Sequence, residues 1–362
     1  MISKRALSID SSGIRKVFAL AASIDNPINL SIGQPDFFVP ELIKDQAIAA
    51  IRENRNGYTQ TNGLLELRQH LASSYPGLAE RGEDIFISSG VSGGLFLAYA
   101  ALLDPGDEVL VPDPYFCMYR DLALLLNAQP VYYDTYPDFR PTLAQLEASY
   151  SSRTKLLVLN SPGNPTGYVY SPEELDEILE WAKKKDIWVI SDEIYSSFSY
   201  DDLFASAWGK YDKLILLDGF SKSHGCTGWR VGWAVGPKNV IEQMLKIQQY
   251  TFVCAPAPLQ AGLVCDISEQ LQLIREQYRA KRDLLVEGLK SHYQFVKPGG
   301  AFYLFPEVPA GDGASFVARC IENKLLVVPG NVFSRRDTHF RISFAASDET
   351  LQRGVEVLRK LV

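Results

Sequence analysis

The chain has 362 residues, of which 46% are apolar and 22% charged, a composition typical of a globular protein with more than one structural unit. Its formal net charge of −7 leaves no excess of Lys and Arg to bind a polyanion, so we expect no nucleic-acid partner. The apolar stretches are far shorter than the ~20 residues of a membrane-spanning helix, and no long apolar run follows the N-terminus. We therefore expect no membrane partner, no secretory signal and a cytoplasmic location.

The spacing of cysteine and histidine bears on metal binding. The five cysteines lie far apart with no CxxC pair, and the four histidines form no HExxH pattern. We therefore expect no metal site and no disulfide framework, with thiols that stay reduced.

Short apolar runs alternate with amphipathic segments from about residue 84 to about residue 260. The candidate strands cover residues 85–88, 109–112, 130–133, 156–160, 187–191, 214–218 and 231–235. Runs such as 156–159 are apolar at consecutive positions, which suits strands covered on both faces. Helix-start signals lie between them, at Thr142 with Gln145 and at Ser171 with Pro172, where a helix should run towards residue 185. The sequence predicts an α/β fold with a mainly parallel seven-stranded sheet flanked by helices.

The pattern changes after about residue 260. It predicts helices over 270–289 and near 315–323, strands around 325–328 and 340–344, and a final helix with Leu351, Val355 and Leu358 on one face. We expect a smaller α+β unit, packed closely against the large one because no unstructured linker separates them.

Lys222 follows an apolar run, in the sequence DGFSK over residues 218–222. A residue just beyond a strand end in an open α/β sheet points into the crevice where such sheets bind ligands. A partly desolvated amine there is suited to forming a Schiff base with an aldehyde. The alternative is a solvated surface charge, the commoner case for a lysine after a strand.

Asp192 ends another apolar run, 187–191. A carboxylate at a strand end can keep a pyridine nitrogen protonated, which makes the ring an electron sink. Tyr195, three residues later, can donate to a phenolic oxygen on the same ring. The alternative for Asp192 is that it caps the next helix.

Two loops provide further candidates. The sequence NSPGNPTG over 160–167 follows a strand of the buried type and can offer the Asn164 side chain to a ligand, or be a loop only. The sequence SSGVSGGL over 88–95 lies between a strand and an apolar helix, where small residues let backbone N–H groups approach a phosphate. The hydroxyls of Ser92 and Ser221 and the guanidinium of Arg230 can add bonds to it. Neither GxxxxGK[ST] nor GxGxxG occurs here, which disfavours nucleotide binding.

Taken together and in order, these motifs resemble the aspartate aminotransferase superfamily, specifically the class I/II aminotransferases among the fold type I pyridoxal phosphate enzymes. The motifs are SIGQPD over 31–36, GYT over 57–59, NPTG over 164–167, SDEIY over 191–195, SK over 221–222, GWR over 228–230 and FRIS over 340–343. The resemblance spans essentially the whole chain. It implies an enzyme of amino acid metabolism (EC 2.6.1.-) that uses pyridoxal 5'-phosphate to move an amino group between an L-amino acid and a 2-oxo acid.

The resemblance also implies a role for each matching residue. The catalytic residues would be Lys222 as the Schiff-base lysine, Asp192 as the partner of the pyridine nitrogen and Tyr195. The remaining cofactor ligands would be Asn164 on the phenolic oxygen, Phe116 stacked on the ring, and Val91, Ser92, Ser221 and Arg230 around the phosphate. Arg341 would bind the substrate α-carboxylate beside Asn164, and Gly33 lies in the loop that closes over it.

Some of these residues have plainer interpretations. Outside this context Arg341 is a surface charge at a strand edge, Tyr58 a turn residue and Phe116 a core residue. In the family, the residue matching Tyr58 reaches the phosphate of the neighbouring subunit's cofactor, which implies a homodimer. Some relatives have Lys where Ser92 stands, so one charge is missing here, and we interpret His224 and Cys226 as local packing.

The resemblance implies a division into three segments. Residues 35–262 would form the large cofactor-binding domain. Residues 1–34 and 263–362 would form the small α+β domain from the two chain ends.

Two alternatives stay open for the function: a β-eliminating carbon–sulfur lyase on the same scaffold, and a non-catalytic regulatory or binding protein. The joint presence of Lys222, Asp192 and Arg230 argues against the second. For the amino donor, residues 249–256 contain no Arg or Lys where aspartate-specific relatives carry an arginine from the partner subunit, and Tyr250 falls near that place. We expect a preference for aromatic or other neutral donors, with Arg15 as an alternative source of positive charge.

Overall fold

The computed structural model describes residues 2–9, 13, 14, 17, 24–201 and 204–362. Arg15, the alternative cation of the sequence analysis, lies outside the described residues. Within the described ranges, no helix is long and apolar enough to cross a membrane.

Twelve strands occur among the described residues. They are β1 (Ile28–Asn29), β2 (Glu83–Ser88), β3 (Glu108–Asp113), β4 (Gln129–Asp134), β5 (Thr154–Asn160), β6 (Trp188–Asp192), β7 (Leu214–Gly219), β8 (Gly232–Pro237), β9 (Tyr303–Leu304), β10 (Leu325–Leu326), β11 (Val328–Pro329) and β12 (Phe340–Ser343). Seven of them form the central sheet, in the order β2-β8-β7-β6-β5-β3-β4. Strands β7, β6, β5, β3 and β4 run parallel, whereas β8 is antiparallel to both of its neighbours. The predicted mainly parallel seven-stranded sheet is confirmed.

Helices separate most of the strands along the chain. Within the described ranges they are α1 (Lys4–Leu7), α2 (Glu41–Arg52), α3 (Leu65–Ala72), α4 (Gly90–Leu102), α5 (Cys117–Leu125), α6 (Leu143–Ser149), α7 (Pro172–Lys185), α8 (Phe220–Ser223), α9 (Lys238–Gln249), α10 (Ala257–Gly262), α11 (Ser268–Leu289), α12 (Gly313–Glu322) and α13 (Asp348–Lys360). Both predicted capping boxes form, at Thr142 and at Ser171. Helix α7 ends as predicted at Lys185, where Asp186 takes a left-handed conformation with φ of 57°.

Alternate residues of β5 explain why this strand is apolar at consecutive positions. Leu156 and Val158 are buried in one cluster with residues of α4, α5 and α9. Leu157 and Leu159 are buried in another cluster with residues of α7. Because side chains alternate between the two faces of a strand, helices cover both faces of the sheet at this point.

A smaller sheet lies beside the large one, in the order β11-β12-β9 with antiparallel pairing. The predicted single strand around 325–328 is wrong in detail, because the chain changes partner after Leu326: β10 pairs with β1, and β11 pairs with β12. Pairing of β1 with β10 joins a segment before residue 34 to one after residue 262. The domain boundaries at 34/35 and 262/263 stay a prediction.

Candidate active site

A cavity of about 270 Å³ opens at the carboxyl ends of β5, β6 and β7. Eleven residues named in the sequence analysis line it: Gly33, Val91, Ser92, Phe116, Asn164, Asp192, Tyr195, Ser221, Lys222, Arg230 and Arg341. Tyr58 does not line this cavity, and its side chain is 87% exposed. Its predicted contact with a partner's cofactor stays a prediction.

Lys222 lies in the short helix α8, directly after β7. Its Nζ donates a hydrogen bond to the Gly33 carbonyl at 2.6 Å and lies 5.7 Å from the centre of the Tyr195 ring. Burial, followed by the positive charges of Arg341 and Arg230, lowers the pKa of Lys222 to about 8. The lysine is therefore not a solvated surface charge, and a share of it is the neutral, nucleophilic amine near neutral pH.

Asp192 is the last residue of β6 and is 3% exposed. Tyr119 Oη donates to one carboxylate oxygen at 2.7 Å, and the Ile194 N–H donates to the other at 3.3 Å. Burial raises the pKa of Asp192 to about 6, although both donors and Lys222 act to lower it. The next helical turn, Ser196–Phe198, has no side-chain cap. Asp192 therefore does not cap it, and a cationic ring nitrogen in the cavity would lower the pKa of this carboxyl.

Asn160 connects the loop after β5 to the end of β6. Its Oδ1 accepts from the Asn164 N–H at 2.9 Å, and its Nδ2 donates to the Asp192 carbonyl at 2.9 Å. The loop is therefore held against the strand that carries Asp192, and Asn164 faces the cavity.

Arg341 lies on β12 and is 1% exposed, so it is not the surface charge of the alternative interpretation. Its Nη1 donates to Asn164 Oδ1 and its Nη2 to the Ser31 carbonyl, each at 2.9 Å. Its Nε is buried without a hydrogen-bond partner, and no carboxylate pairs with it among the described residues. A buried guanidinium without an anion is costly, so this site fits a carboxylate ligand.

The loop after β2 fits a phosphate. Helix α4 begins at Gly90, whose φ is +66°, and a Cβ on Gly90 would lie only 2.7 Å from Arg230 Nη2. Glycine thus allows the guanidinium to approach the first turn of α4, where Val91 and Ser92 lie. A helix N-terminus, an arginine and nearby hydroxyls together provide the donors and positive potential that bind a phosphate.

Tyr119, Thr227 and Tyr303 also line the cavity but are absent from the sequence analysis. Tyr119 follows Phe116 by three residues, and their rings are 5.7 Å apart, so helical spacing from Phe116 could have identified it. Tyr303 comes from β9 in the small sheet, and nothing local in its sequence points to this cavity.

The sequence analysis interprets His224 and Cys226 as local packing. Both are buried. His224 Nδ1 shares a hydrogen bond with Ser223 Oγ at 2.8 Å, and Cys226 Sγ donates to the Phe220 carbonyl at 3.2 Å. Burial lowers the pKa of His224 to about 3, so the imidazole stays neutral.

These features together fit pyridoxal 5'-phosphate. A partly neutral amine suits its aldehyde, a buried carboxylate suits its ring nitrogen, and the α4 N-terminus with Arg230 suits its phosphate. The unpaired Nε of Arg341 remains available to a carboxylate ligand.

Comparison with known proteins agrees with this fit. The family described as aminotransferase class I and II matches residues 25–358. Aromatic-amino-acid aminotransferase 2 of Thermococcus litoralis is 33% identical, with 100% of this chain and 98% of the relative covered. Aspartate aminotransferase of Thermotoga maritima is 34% identical, with 98% of each chain covered. The structure of aspartate aminotransferase from Thermus thermophilus with maleate superimposes with a TM-score of 0.93 at 31% identity, covering 100% of both chains. The chain therefore belongs to the class I and II aminotransferases, which are pyridoxal phosphate-dependent enzymes of fold type I.

Proposed function

We propose that this enzyme transfers an amino group from an L-amino acid to a 2-oxo acid and favours aromatic or other neutral donors. The observation that carries the proposal is one cavity holding the Lys222 amine, the Asp192 carboxylate and the unpaired Nε of Arg341. These groups suit, respectively, proton transfer, ring activation and carboxylate binding.

Proton transfer at the substrate Cα falls to Lys222. Pyridoxal phosphate, when bound, supplies the aldehyde that takes up the amino group and the ring that delocalises the electrons left at Cα. Lys222 Nζ accepts the Cα proton as a general base and then carries it, and its lowered pKa of about 8 keeps part of it neutral at physiological pH. The Gly33 carbonyl holds this amine in the cavity.

The other residues orient the reacting groups. Asp192 would hold a proton on the ring nitrogen of the cofactor, and the hydrogen bond from Tyr119 fixes the direction of its carboxylate. Arg341 binds the α-carboxylate through its planar fork, beside Asn164. Tyr195 would donate a hydrogen bond to the phenolic oxygen of the cofactor ring.

The donor preference rests on what surrounds the side-chain end of the substrate. Among described residues, the basic side chains that line the cavity are Lys222, Arg230 and Arg341, and each already has a role. Ile14 adds an apolar wall. A second carboxylate would therefore be buried without a partner at a cost, whereas an aromatic ring gains about 1 kcal/mol from ring contacts beyond its burial.

A homodimer is part of the proposal. Phe38 and Tyr250 are each 90% exposed and Tyr58 is 87% exposed, so these aromatic side chains are accessible to a partner subunit. A second copy would place Tyr58 on the neighbouring phosphate and Tyr250 near the neighbouring side-chain pocket. Sedimentation should therefore show a dimer at assay concentration, and a fully active monomer would contradict this part of the proposal.

The donor preference is tested with a panel of substrates. We expect kcat/KM for phenylalanine and tyrosine to exceed that for aspartate, with 2-oxoglutarate as the acceptor and alanine and glutamate for comparison. The relatives named above include both an aromatic-amino-acid aminotransferase and an aspartate aminotransferase. The proposed preference therefore rests on the residues that line the cavity and not on the relatives. An aspartate value tenfold above the aromatic values would overturn it.

A further inference from the structure

Tyr303 has no part in the chemistry proposed so far, although it is buried at the centre of the site. It lies on β9, is 1% exposed and pairs in register with Ser343 of β12. Its hydroxyl lies 2.8 Å from Tyr195 Oη, and its ring centre lies 4.4 Å from the Arg341 guanidinium carbon. A Cβ on Gly33 would lie 2.7 Å from the same hydroxyl. Tyr303 therefore contacts a proposed cofactor ligand, the proposed carboxylate ligand and the loop that accepts from Lys222.

The hydrogen bond between the two tyrosines has one direction once a ligand is present. Tyr195 carries a single hydroxyl proton. If Tyr195 uses that proton to donate a hydrogen bond to the phenolic oxygen of the cofactor, Tyr303 must be the hydrogen-bond donor to Tyr195. Within the described part of the chain, Tyr195 Oη is the hydrogen-bond partner of the Tyr303 hydroxyl. A hydroxyl that accepts a hydrogen bond becomes a stronger donor, because bonds in a chain polarise one another.

The ring of Tyr303 acts on Arg341. The guanidinium carbon lies 4.4 Å from the Tyr303 ring centre and 4.6 Å from that of Phe333. Aromatic faces attract a cation at this distance, most strongly where water is excluded. Because no carboxylate pairs with Arg341 among the described residues, these rings and two carbonyl-type oxygens set the orientation of its fork.

We propose that Tyr303 is a positioning residue with two separable actions: its hydroxyl strengthens Tyr195 as a donor, and its ring orients Arg341 for the substrate carboxylate. This inference rests on the roles proposed above for Tyr195 and Arg341.

The holoenzymes Tyr303→Phe and Tyr303→Leu separate the two actions. One readout is the pH midpoint of the visible absorbance change of the bound cofactor, and the other is the KM and kcat of the best donor. Loss of the Tyr303 hydroxyl would leave more negative charge on the phenolic oxygen of the cofactor. That charge would hold the proton more tightly on the Lys222 nitrogen that is joined to the cofactor. Both variants should therefore raise the pH midpoint by about half a unit.

The two variants should differ in KM. Tyr303→Phe keeps the ring, so KM should stay within about twofold of wild type, whereas Tyr303→Leu should raise KM about tenfold. An unchanged pH midpoint in Tyr303→Phe, or equal KM values in the two variants, would overturn the corresponding action. If Tyr303→Leu fails to fold, Tyr303→Phe still decides the action of the hydroxyl, and the KM of Tyr303→Trp, which keeps an aromatic face, against that of Tyr303→Met decides the action of the ring.

A double-mutant cycle tests whether the hydroxyl acts through Tyr195. In a Tyr195→Phe background, adding Tyr303→Phe should leave the pH midpoint unchanged. A shift in Tyr195→Phe with none in Tyr303→Phe overturns this inference alone. No shift in Tyr195→Phe overturns the proposed role of Tyr195 and this inference with it.

Tyr293 provides the matched control. It is buried in the same part of the chain, and its hydroxyl donates to the Leu358 carbonyl at 2.7 Å, away from the cavity. Tyr293→Phe should change neither the pH midpoint nor KM, whatever it does to stability. A shift in Tyr293→Phe equal to that in Tyr303→Phe would mean that the effect is general loss of packing, which overturns the proposal.

Discussion

The two sheets contribute to the site in different ways. The large sheet places Asp192 at the end of β6 and Lys222 just beyond the neighbouring strand β7, and both have hydrogen-bond partners within the protein. The small sheet contributes Arg341, which is buried with an unpaired Nε. The groups that the large sheet presents to the cofactor are thus already hydrogen-bonded within the protein. The small sheet instead presents a cation whose Nε only a ligand would pair.

This difference predicts which kinetic constant each region controls. The groups on the large sheet are proposed to act on the cofactor and on the proton transferred at Cα, so their loss should lower kcat. The carboxylate that Arg341 is proposed to bind is present before and after proton transfer, so loss of Arg341 should mainly raise KM.

The largest effect should follow from Lys222→Ala. The variant loses the residue proposed as both the covalent attachment point and the proton carrier, so turnover should fall by about 10³-fold or more. A single-turnover half-reaction with rapid mixing measures this, and circular dichroism checks the fold. Lys184→Ala, at an exposed position on α7, is the control and should keep wild-type turnover. Near-wild-type turnover in Lys222→Ala would refute the assignment.

Asp192→Ala should come next, with kcat lowered about 10²-fold, because the ring nitrogen loses its anionic partner. It should also weaken cofactor binding, whereas Asp192→Glu should retain more of both. Exchange of the substrate Cα hydrogen measures proton abstraction, and a fluorescence titration measures the cofactor Kd. Asp212→Ala, whose side chain is 98% exposed, is the control. Equal exchange rates in Asp192→Ala and wild type would contradict the electron-sink role.

Arg341→Lys tests the small-sheet side. Lysine keeps the charge but lacks the planar fork, so KM for the amino donor should rise about 10²-fold while kcat changes less. Steady-state kinetics with donor and acceptor varied separately provides both constants. A fall in kcat at unchanged KM would mean that Arg341 belongs functionally with the large-sheet groups, and the contrast between the two regions would be wrong.

The pH dependence of cofactor loading connects the two regions. Burial and the charges of Arg341 and Arg230 lower the pKa of Lys222 from 10.5 to about 8. Because the neutral amine attacks the aldehyde, the rate of loading onto cofactor-free protein should rise about tenfold per pH unit below pH 8 and level off above it. The same shift makes the unfolded chain bind more protons between pH 8 and 10.5, so the stability of the cofactor-free protein should rise with pH across that window.

The variant Arg341→Met tests how much Arg341 contributes to the lowered pKa of Lys222. Removing the second cause of the lowered pKa should move the loading midpoint to higher pH, although Arg341 comes from the other sheet. Stopped-flow absorbance measures the loading rate. A flat profile between pH 6.5 and 9 in wild type would contradict the lowered pKa.

The large sheet could be predicted from sequence because its strands are consecutive apolar runs bounded by turn residues. Its end also brings Asp192 and Lys222 together by a general property of parallel strands, so that part of the site follows from local patterns. The small sheet could not be predicted as well: the run at 325–328 looks like one strand but pairs with two different neighbours.

Arg341 and Tyr303 show most clearly which part of the site could not be predicted from the sequence. The sequence FRIS around Arg341 is equally typical of a strand edge, and only the resemblance to the family identified the arginine. Its burial depends on Tyr303 and Phe333, whose approach is set by tertiary packing. Contacts between side chains that lie far apart in the sequence have no signal in local periodicity.

The smallest effect should come from Gly90→Ala, which tests the phosphate end of the large-sheet region. Gly90 has φ of +66°, and the new Cβ would lie 2.7 Å from Arg230 Nη2, so the guanidinium must move away from the first turn of α4. The cofactor Kd should rise a few-fold, about 1 kcal/mol or less. The KM for the amino donor, which is ascribed to Arg341, should stay unchanged.

Gly106→Ala separates displacement of Arg230 from backbone strain. Gly106 also has a positive φ, +94°, but a Cβ there would meet nothing within 4 Å. Both variants should lose about 1 kcal/mol of stability from the left-handed backbone, measured as a lower melting temperature. Only Gly90→Ala should also weaken the cofactor, measured by fluorescence titration. If the two variants bind the cofactor equally well, the contact between Gly90 and Arg230 does not shape the phosphate site. The groups that the large sheet positions for the cofactor would then be limited to Asp192 and Lys222.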